Sequence, residues 1–323
     1  MKIAIYGYGN LGRGVELAAH QNPDAELVGI FTRRPPEAIT TAYKTPVYPS
    51  RDVLSFKGGV DVLIICGGSA TDLPEVTPTL ARHFNVVDSY DNHLKISDHF
   101  TATDAAAREG GNLTVIGAGW DPGIFSVMRV LFDSILTNGT THTFWGRGVS
   151  QGHSDAIRRI DGVVDARQYT VPIPETVGVV RLGGRSLASY EMHRRECFVA
   201  VADGADTERI EHAIKSMPGY FYGYDTTVHF VTKGDLVRDH SAMPHAGRII
   251  RSGRTGEILE HNHTLELSLK LDSNPEFTGA ALICVARAVN KMAKQGETGC
   301  KTMLDIPPSC YSPLSAEDLV RTI

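Results

Sequence analysis

The chain has 323 residues, with 32 Lys and Arg against 37 Asp and Glu, a formal net charge of −5 at pH 7, and 42% hydrophobic residues. This composition is typical of a soluble globular protein and excludes a disulfide-stapled miniprotein, a collagen and a disordered chain. At roughly 150 residues per domain, the length predicts about two domains. The dispersed and mildly acidic charge predicts neither a nucleic-acid partner nor attraction to an anionic membrane.

The cysteines predict reduced thiols, because they are odd in number and lack both a CxxC pair and a ligand-like spacing to His. They are Cys66, Cys197, Cys284, Cys300 and Cys310. The same spacing predicts no metal site. The apolar run at the N-terminus stops at Gly7, too early for a signal peptide, and no later run approaches the roughly 18 residues of a membrane span. We therefore expect a cytoplasmic protein without a membrane partner.

Residues 1–120 alternate β-branched runs with amphipathic runs, which predicts βαβ units and a Rossmann-type doubly wound parallel sheet, the dinucleotide-binding domain. The predicted strands are Lys2–Tyr6, Glu26–Phe31, Val60–Cys66, Asn85–Asp88 and Asn112–Gly117, and the predicted helices are Leu11–Gln21, Pro74–His83 and Asp98–Arg108. The third strand is almost entirely apolar, as expected for a central strand covered on both faces.

Residues 121–294 have a different pattern, with strand-like runs separated mostly by loops, which predicts a second α+β domain with a mixed or antiparallel sheet. Its predicted strands are Thr141–Trp145, Gln168–Ile173, Glu196–Val201, Thr226–Val231 and Thr264–Leu271, and its predicted helices are Ile124–Leu136, Asp206–Met217 and Phe277–Lys294. The remaining segment, about residues 295–323, is a candidate to pack back onto the first domain, which periodicity alone does not test.

A GxGxxG run follows the first predicted strand and opens the first predicted helix. It comprises Gly7, Tyr8, Gly9, Asn10, Leu11 and Gly12. In this context the first glycine permits a tight turn, the second lets the backbone approach a pyrophosphate, and the third packs the helix against the strand. The amides of the helix N-terminus would bind the pyrophosphate. A Gly-rich turn without a ligand is the alternative.

The end of the second predicted strand indicates which dinucleotide binds. An NAD-preferring site places an acidic residue there for the ribose 2′-hydroxyl, whereas this chain has Thr32, Arg33 and Arg34. The two guanidinium groups match a 2′-phosphate, and no carboxylate in this run would repel it. The sequence therefore predicts NADP as the cofactor. A solvated arginine pair is the alternative.

Three further loops follow strands of the same sheet and should line the cofactor crevice. Ser69, Ala70 and Thr71 follow the apolar strand, Tyr90 and Asp91 follow the next one, and Trp120 and Asp121 follow the last. Asp91 and Asp121 could hold an ammonium group beside the nicotinamide, so we treat them as the candidate catalytic residues. For Asp121, a helix cap ahead of Pro122 and Gly123 is an equally good interpretation, and both roles can coexist.

These motifs together resemble those of meso-diaminopimelate dehydrogenase. The matching runs are GYGNLGRG, SATD, SYDNH, GWDPG, TFWG, SQGHSDAIRRI, RECFV, MPHAG and LKLDSNPEFT, from Gly7 to about Thr278. The resemblance implies an NADP-dependent homodimer of lysine and cell-wall biosynthesis. Such enzymes reversibly deaminate the D-centre of meso-2,6-diaminopimelate to L-2-amino-6-oxopimelate and ammonia.

Site residues follow from the resemblance, motif by motif. It implies that Asp91 and Asp121 lie near the amine of the D-centre, with Trp120 and Trp145 as pocket walls. For the distal L-centre it implies contacts from Gln151, Gly152, Asp155, Thr170, Arg195, His245 and Asn274. A guanidinium fork suits a carboxylate, and a carboxylate suits an ammonium group, so this set fits a zwitterionic end.

Two positions leave the resemblance incomplete. No motif covers residues 174–193, so Arg194 could take the place of Arg195. Gly67 stands where the family pattern leads us to expect a bulkier residue.

Two other functions stay open on sequence alone. One is another two-domain NADP oxidoreductase of amino-acid biosynthesis, such as a homoserine dehydrogenase or a dihydrodipicolinate reductase, although those reactions call for a catalytic lysine. The other is a non-catalytic NADP-binding sensor, which would not need Asp91, Asp121, Arg195 and His245.

Overall fold

The structure is a computed structural model that describes residues 1–183 and 186–323. Its strands are β1 Lys2–Tyr6, β2 Glu26–Thr32, β3 Val47–Pro49, β4 Val62–Ile65, β5 Val86–Asp88, β6 Leu113–Val115, β7 Gly139–Trp145, β8 Gly148–Val149, β9 Val163–Pro172, β10 His193–Val201, β11 Thr226–Phe230, β12 His245–Thr255, β13 His261–Leu271 and β14 Gly299–Lys301. Its α-helices are α1 Asn10–Gln21, α2 Leu73–Ala81, α3 Ile96–Gly110, α4 Ile124–Ile135, α5 Gln151–Arg158, α6 Pro174–Arg181, α7 Ser189–Met192, α8 Thr207–Lys215, α9 Lys233–His240, α10 Asn274–Lys294, α11 Pro308–Tyr311 and α12 Ala316–Val320.

The chain forms two compact units. The first contains Met1–Val127 and Pro275–Ile323, and it is built on a parallel sheet in the order β14-β6-β5-β4-β1-β2-β3. The order reverses between β1 and β4, as in doubly wound sheets, so the loops after these strands open into one crevice. The predicted Rossmann-type fold is confirmed, and β14 adds a strand from the C-terminal segment.

The division into units differs from the predicted boundaries at residues 120 and 294. Helix α10 belongs to the first unit, because its apolar face, which includes Leu282, Val285 and Val289, is buried against Ile3 and Ile5 of β1. The close approach of α10 to α1 depends on glycine, since a Cβ on Gly14 would lie 2.3 Å from the carbonyl oxygen of Pro275. Amphipathic spacing predicted this helix correctly but did not indicate which sheet it covers.

The second unit, Met128–Asn274, contains a mixed sheet and an antiparallel sheet. The mixed sheet has the order β11-β10-β9-β8, with β10 and β11 parallel, and the antiparallel sheet has the order β13-β12-β7. This confirms the predicted α+β character. Strand β12 and helices α6, α7 and α9 were not predicted, and the polar run that begins at Ser150 forms α5. Of the helices in the described residues, none is long and apolar enough to cross a membrane.

Candidate active site

The three glycines of the GxGxxG run have different surroundings in the first unit. Gly7 has φ +96°, and a Cβ there would lie 2.8 Å from the carbonyl oxygen of Cys66. A Cβ on Gly12 would lie 2.3 Å from the carbonyl oxygen of Gly7, so the first and third glycines are required by packing. A Cβ on Gly9 would meet no described atom within 4 Å. Gly9 is the N-cap of α1, which begins with Asn10 and Leu11, so this helix N-terminus faces open space where an anion can approach.

A cleft of about 280 Å³ borders this turn. Its lining residues include Gly7, Gly9, Thr32, Arg33, Arg34, Cys66, Gly67 and Asp72. Of the predicted dinucleotide residues, Gly7, Gly9, Thr32, Arg33 and Arg34 line this cleft, at the carboxyl ends of β1 and β2. This arrangement fits a bound dinucleotide, with its pyrophosphate at the helix N-terminus and its ribose beside the arginines.

A carboxylate does lie beside the arginine pair, contrary to what the run after β2 indicated. The Oδ1 atom of Asp72, in the loop after β4, is 2.9 Å from Nη2 of Arg33. The Oδ2 atom of Asp72 accepts a hydrogen bond of 3.0 Å from the backbone N–H of Gly68. This ion pair leaves no local signal in the sequence, because Arg33 and Asp72 are 39 positions apart in the chain (72 − 33).

Gly67 makes room for that carboxylate. A Cβ at position 67 would lie 2.8 Å from the Cβ of Asp72, so a bulkier residue there would displace Asp72. The departure from the family pattern at Gly67 thus has a local packing reason.

Arg34 is held by the backbone of the glycine-rich turn. Its Nη2 atom donates a hydrogen bond to the carbonyl oxygen of Tyr8, and its backbone N–H donates to Oγ1 of Thr32 at 3.2 Å. Both arginines are exposed, and the side chain of Arg33 is 71% exposed.

Glu16, which the sequence analysis did not single out, organises the same region from helix α1. Its buried carboxylate accepts hydrogen bonds from the Tyr8 hydroxyl, from Oγ1 of Thr45 at 2.6 Å, and from the backbone N–H groups of Ala42 at 2.9 Å and Tyr43 at 3.1 Å. Burial and the contact with Glu16 raise the pKa of Tyr8 to about 12. The four groups that bind Glu16 come from other segments of the chain, so the local sequence around Glu16 gave no signal for this role.

The loops after β4 and β5 touch each other. Oγ of Ser69 accepts a hydrogen bond of 3.1 Å from the backbone N–H of Asp91, whose side chain is exposed. Ala70 and Thr71, in the same turn as Ser69, are exposed. Tyr90 is only 2% exposed and stacks on His99 with ring centroids 4.1 Å apart. If Tyr90 contacts the cofactor, it must therefore do so through its backbone.

The loop after β6 carries Trp120 and Asp121. Trp120 is buried and packs edge-to-face on Phe125 with centroids 5.3 Å apart, whereas Asp121 is half-buried. Because β5 and β6 are neighbouring parallel strands, the loops that carry Asp91 and Asp121 begin side by side.

In the second unit, the strand register distinguishes Arg195 from Arg194. Arg195 lies opposite Thr170 in the β9–β10 pair, is 7% exposed, and donates a hydrogen bond from Nη1 to Oγ1 of Thr170. The ring of Tyr224 lies 4.2 Å from its guanidinium carbon, and burial lowers the pKa of Arg195. Arg194 points the other way, where it pairs with Asp225 at 3.3 Å on the surface.

His245 is placed next to this pair by a glycine. Gly148 lies opposite Thr170 in the β8–β9 pair, and a Cβ on Gly148 would lie 2.4 Å from Cγ of His245. The His245 ring therefore packs directly on the backbone of β8. Thr170 and Arg195 are thus bonded between β9 and β10, and His245 packs on β8, the other neighbour of β9; their roles towards a substrate stay predictions.

Two of the remaining candidates of the second unit, Gln151 and Asn274, contact Met243. Nε2 of Gln151 lies 3.7 Å from Sδ of Met243, and the backbone N–H of Asn274 donates to the carbonyl oxygen of Met243 at 2.9 Å. Gln151, Gly152 and Asp155 form the exposed side of α5. The carboxylate of Asp155 is paired with Arg158, one turn along the same helix.

Trp145 is held by His193, a second residue that sequence reasoning missed. Nε2 of His193 accepts a hydrogen bond of 2.9 Å from the Trp145 backbone N–H, while Nδ1 donates to the carbonyl oxygen of Ser189 at 3.0 Å. The two rings stack with centroids 5.6 Å apart. This pattern requires a neutral imidazole, and burial, together with the charge of Arg195, lowers the pKa of His193 to about 4. His193 thereby ties β7 to β10.

Stability should therefore decrease on acidification. Since the pKa of His193 in the folded state is about 4, below the usual 6.5, its contribution is complete above pH 6.5 and is lost as pH falls towards 4. The slope is at most about 1.4 kcal/mol per pH unit for one such group. Denaturant unfolding of the His193→Gln variant between pH 7.5 and 4.5 should show a shallower decrease. The control is His212→Gln, at an exposed position, which should keep the original slope; equal slopes for all three proteins would contradict the assignment.

Comparison with known proteins identifies the family of both units. The family model described as the diaminopimelic acid dehydrogenase C-terminal domain matches residues 119–273. The meso-diaminopimelate D-dehydrogenase of Ureibacillus thermosphaericus is 52% identical over 324 residues, which covers 100% of this chain and 99% of that protein. The protein of the same name from Corynebacterium glutamicum is 46% identical over 321 residues, which covers 99% and 98%.

Solved structures agree. The C. glutamicum DAP dehydrogenase in complex with DAP superposes with a TM-score of 0.92 at 45% identity, covering 99% of this chain and 98% of that one. An engineered D-amino acid dehydrogenase bound to NADP+ superposes with a TM-score of 0.88 at 43% identity, with the same coverage. Identity of this extent over the full length leaves one assignment: the chain belongs to the meso-diaminopimelate D-dehydrogenase family.

Proposed function

We propose that this protein is an NADP-dependent dehydrogenase that oxidatively and reversibly deaminates the D-centre of meso-2,6-diaminopimelate, giving L-2-amino-6-oxopimelate and ammonia for lysine and cell-wall synthesis. Its relatives carry the name of this activity, and one solved relative holds DAP. The observation that carries the proposal is the buried Arg195–Thr170 pair, a preformed carboxylate site beside His245.

The cofactor assignment is supported by the glycine-rich turn and the arginines. Gly7, Gly9 and Gly12 leave the N-terminus of α1 open to a pyrophosphate, and Asn10 and Leu11 supply its first amides. We assign Thr32, Arg33 and Arg34, which line the cleft, to the 2′-phosphate. We assign Ser69, Ala70, Thr71 and the Tyr90 backbone, in the loops after β4 and β5, to the nicotinamide side. NADP+, when bound, accepts a hydride from the substrate carbon.

The residues of the chain act on the amine and on the distal end of the substrate. We assign Asp91 and Asp121 to the amine of the D-centre, where their carboxylates bind the ammonium form and take up its proton directly or through water. We assign Trp120 and Trp145 to apolar contacts with the substrate, as the family resemblance implies. The distal L-centre is bound by Gln151, Gly152, Asp155, Thr170, Arg195, His245 and Asn274. Binding at both ends orients the D-centre carbon for the reaction.

We also propose a homodimer in the cytoplasm. Helices α4 and α6 expose apolar side chains, including Val130 at 52%, Ile135 at 63% and Val179 at 54%, which is typical of a surface covered by another subunit. A second copy of this chain is the occupant that the family resemblance implies.

The decisive assay is reduction of NADP+ by the purified protein with meso-diaminopimelate. Parallel reactions contain the LL isomer, D-alanine, or NAD+ in place of NADP+. Turnover that is much faster with the meso isomer and NADP+ than in any of the parallel reactions supports the D-centre chemistry, the arginine pair and the distal contacts together. The absence of turnover despite tight NADP+ binding would favour the sensor and contradict the proposed reaction.

A further inference from the structure

The two loops that carry Asp91 and Asp121 are joined by one buried carboxylate, that of Asp88 at the end of β5. Its Oδ1 atom accepts two backbone hydrogen bonds of 3.0 Å, one from Tyr90 N–H in its own loop and one from Gly117 N–H in the neighbouring loop. The carbonyl oxygen of Asp88 accepts a third, of 2.8 Å, from Ala118 N–H. A single residue therefore fixes the start of both loops.

The other carboxylate oxygen anchors Asp88 to the helices behind the sheet. Oδ2 lies 2.8 Å from Oγ1 of Thr77 on α2 and 2.8 Å from Nε2 of His99 on α3. Asp88 is 0% exposed, Thr77 is 0% and His99 is 5%. The stacking of His99 on Tyr90 adds a contact to the same loop. With both oxygens occupied and no solvent access, the carboxylate has a fixed position.

The two loops also contact each other above Asp88. A Cβ on Gly117 would lie 3.4 Å from the carbonyl oxygen of Tyr90, so the two backbones approach closely enough for a single added carbon to reach van der Waals contact. Gly117 has φ +62°, a left-handed conformation in which its N–H points at Asp88. Ser69 binds the far side of the first loop through the Asp91 N–H. Removing Asp88 would therefore release the two loops together.

We propose that Asp88 is the positioning residue that sets the separation of Asp91 and Asp121, and thereby the placement of the substrate amine. This inference rests on the proposed function for its effect on catalysis. It predicts a larger defect in kcat than in cofactor affinity. The side-chain partners of Asp88 lie outside the described lining of the dinucleotide cleft, and only its backbone pairs with a lining residue, Ile65, which a substitution of the side chain leaves in place.

The test is a graded series at position 88. Asp88→Ala removes every side-chain acceptor, and a displacement of about 1 Å at a reacting group costs about 100-fold, so kcat at saturating substrates should fall by that order. Asp88→Asn keeps one oxygen acceptor but loses charge-assisted bonding, so kcat should fall by only about 3- to 10-fold. The Kd for NADP+ should stay within about threefold in both variants.

The matched control is Asp104, a carboxylate of the same unit that binds the backbone N–H of Cys300 at 2.8 Å and the Arg108 side chain at 2.8 Å. Asp104→Ala should lower the melting temperature and leave kcat unchanged. Hydrogen exchange supplies a second readout: Asp88→Ala should accelerate exchange at 89–95 and 117–123 together, and Asp104→Ala should not.

Specific results would overturn the proposal. They are a kcat for Asp88→Ala within about threefold of the unsubstituted enzyme, an equal loss in Asp104→Ala, or unchanged exchange in the two loops. If Asp88→Ala does not fold, the Asp88→Asn variant provides the test, and a change in its kcat of less than about twofold overturns the proposal. A wild-type enzyme inactive on meso-diaminopimelate would instead overturn the proposed function and the catalytic effect, while exchange still reports whether Asp88 joins the loops.

Discussion

Replacement of Arg195 by methionine is expected to lower kcat/KM for meso-diaminopimelate by about 1000-fold. Truncating one partner of a buried, hydrogen-bonded charge pair costs about 2–5 kcal/mol, or about 30- to 5000-fold, because the other polar groups are then left unpaired. Methionine has a similar length, so the packing against Tyr224 is largely kept. The measurement is steady-state kinetics at saturating NADP+. Activity on D-alanine, which has no distal end, should change little.

The adjacent arginine provides the control for this experiment. Arg194→Met changes the same residue type one position earlier, but Arg194 pairs with Asp225 at the surface, where such ion pairs contribute about 0–1 kcal/mol. Its kcat/KM should stay within about twofold of the unsubstituted enzyme. Equal losses at positions 194 and 195, or a loss below about tenfold at 195, would contradict the placement of the distal carboxylate.

The second large effect is expected when the two arginines assigned to the 2′-phosphate of NADP+ are replaced. Hydrogen bonds to charged groups contribute about 1.5–3 kcal/mol each, and the lower value applies here because both arginines are exposed. The double substitution Arg33→Ala with Arg34→Ala should therefore lower kcat/KM for NADP+ by about 100- to 1000-fold. With NAD+, which lacks this phosphate, kcat/KM should change by less than about threefold. The quantity to measure is the ratio of kcat/KM for NADP+ to kcat/KM for NAD+.

Arg51→Ala is the corresponding control, because the Arg51 side chain is 85% exposed and belongs to the same unit. It should leave the ratio unchanged. A parallel fall in activity with both cofactors after the double substitution would mean that the arginines support the fold of the turn, through the contact of Arg34 with the Tyr8 carbonyl, and do not select the cofactor.

The choice between Arg194 and Arg195 shows where the sequence was insufficient. In a strand, a shift of one residue moves a side chain to the opposite face. The register of β10 depends on the path of residues 174–193, which carry no family motif and contain α6 and α7. The pairing of Arg195 with Thr170 in the structure determines which face of the sheet carries the Arg195 side chain. The cofactor turn was easier to predict because its determinants are adjacent in the chain.

Strand β12 was missed for a related reason. It places Arg248, Arg251 and Arg254 at regular intervals in a run that reads as a polar loop. Arg251 is nonetheless 6% exposed, because its guanidinium binds the Leu136 carbonyl oxygen at 2.6 Å and the Asp133 carboxylate. β12 pairs with β13, which follows it closely in the chain, but the partners that bury Arg251 lie more than a hundred positions away. Asp88, Glu16 and His193 belong to the same class, since each binds groups from several distant segments.

The position of α10 and β14 has a consequence for synthesis on the ribosome. The first unit closes its core only with Leu282, Val289 and Ile306, which follow the whole of the second unit along the chain. The second unit has all its residues once Asn274 has been translated. During translation the second unit can therefore fold first, while the nascent β1–β6 segment has apolar surface without its covering helix. That surface is the part of the chain that a chaperone would have to protect until α10 emerges.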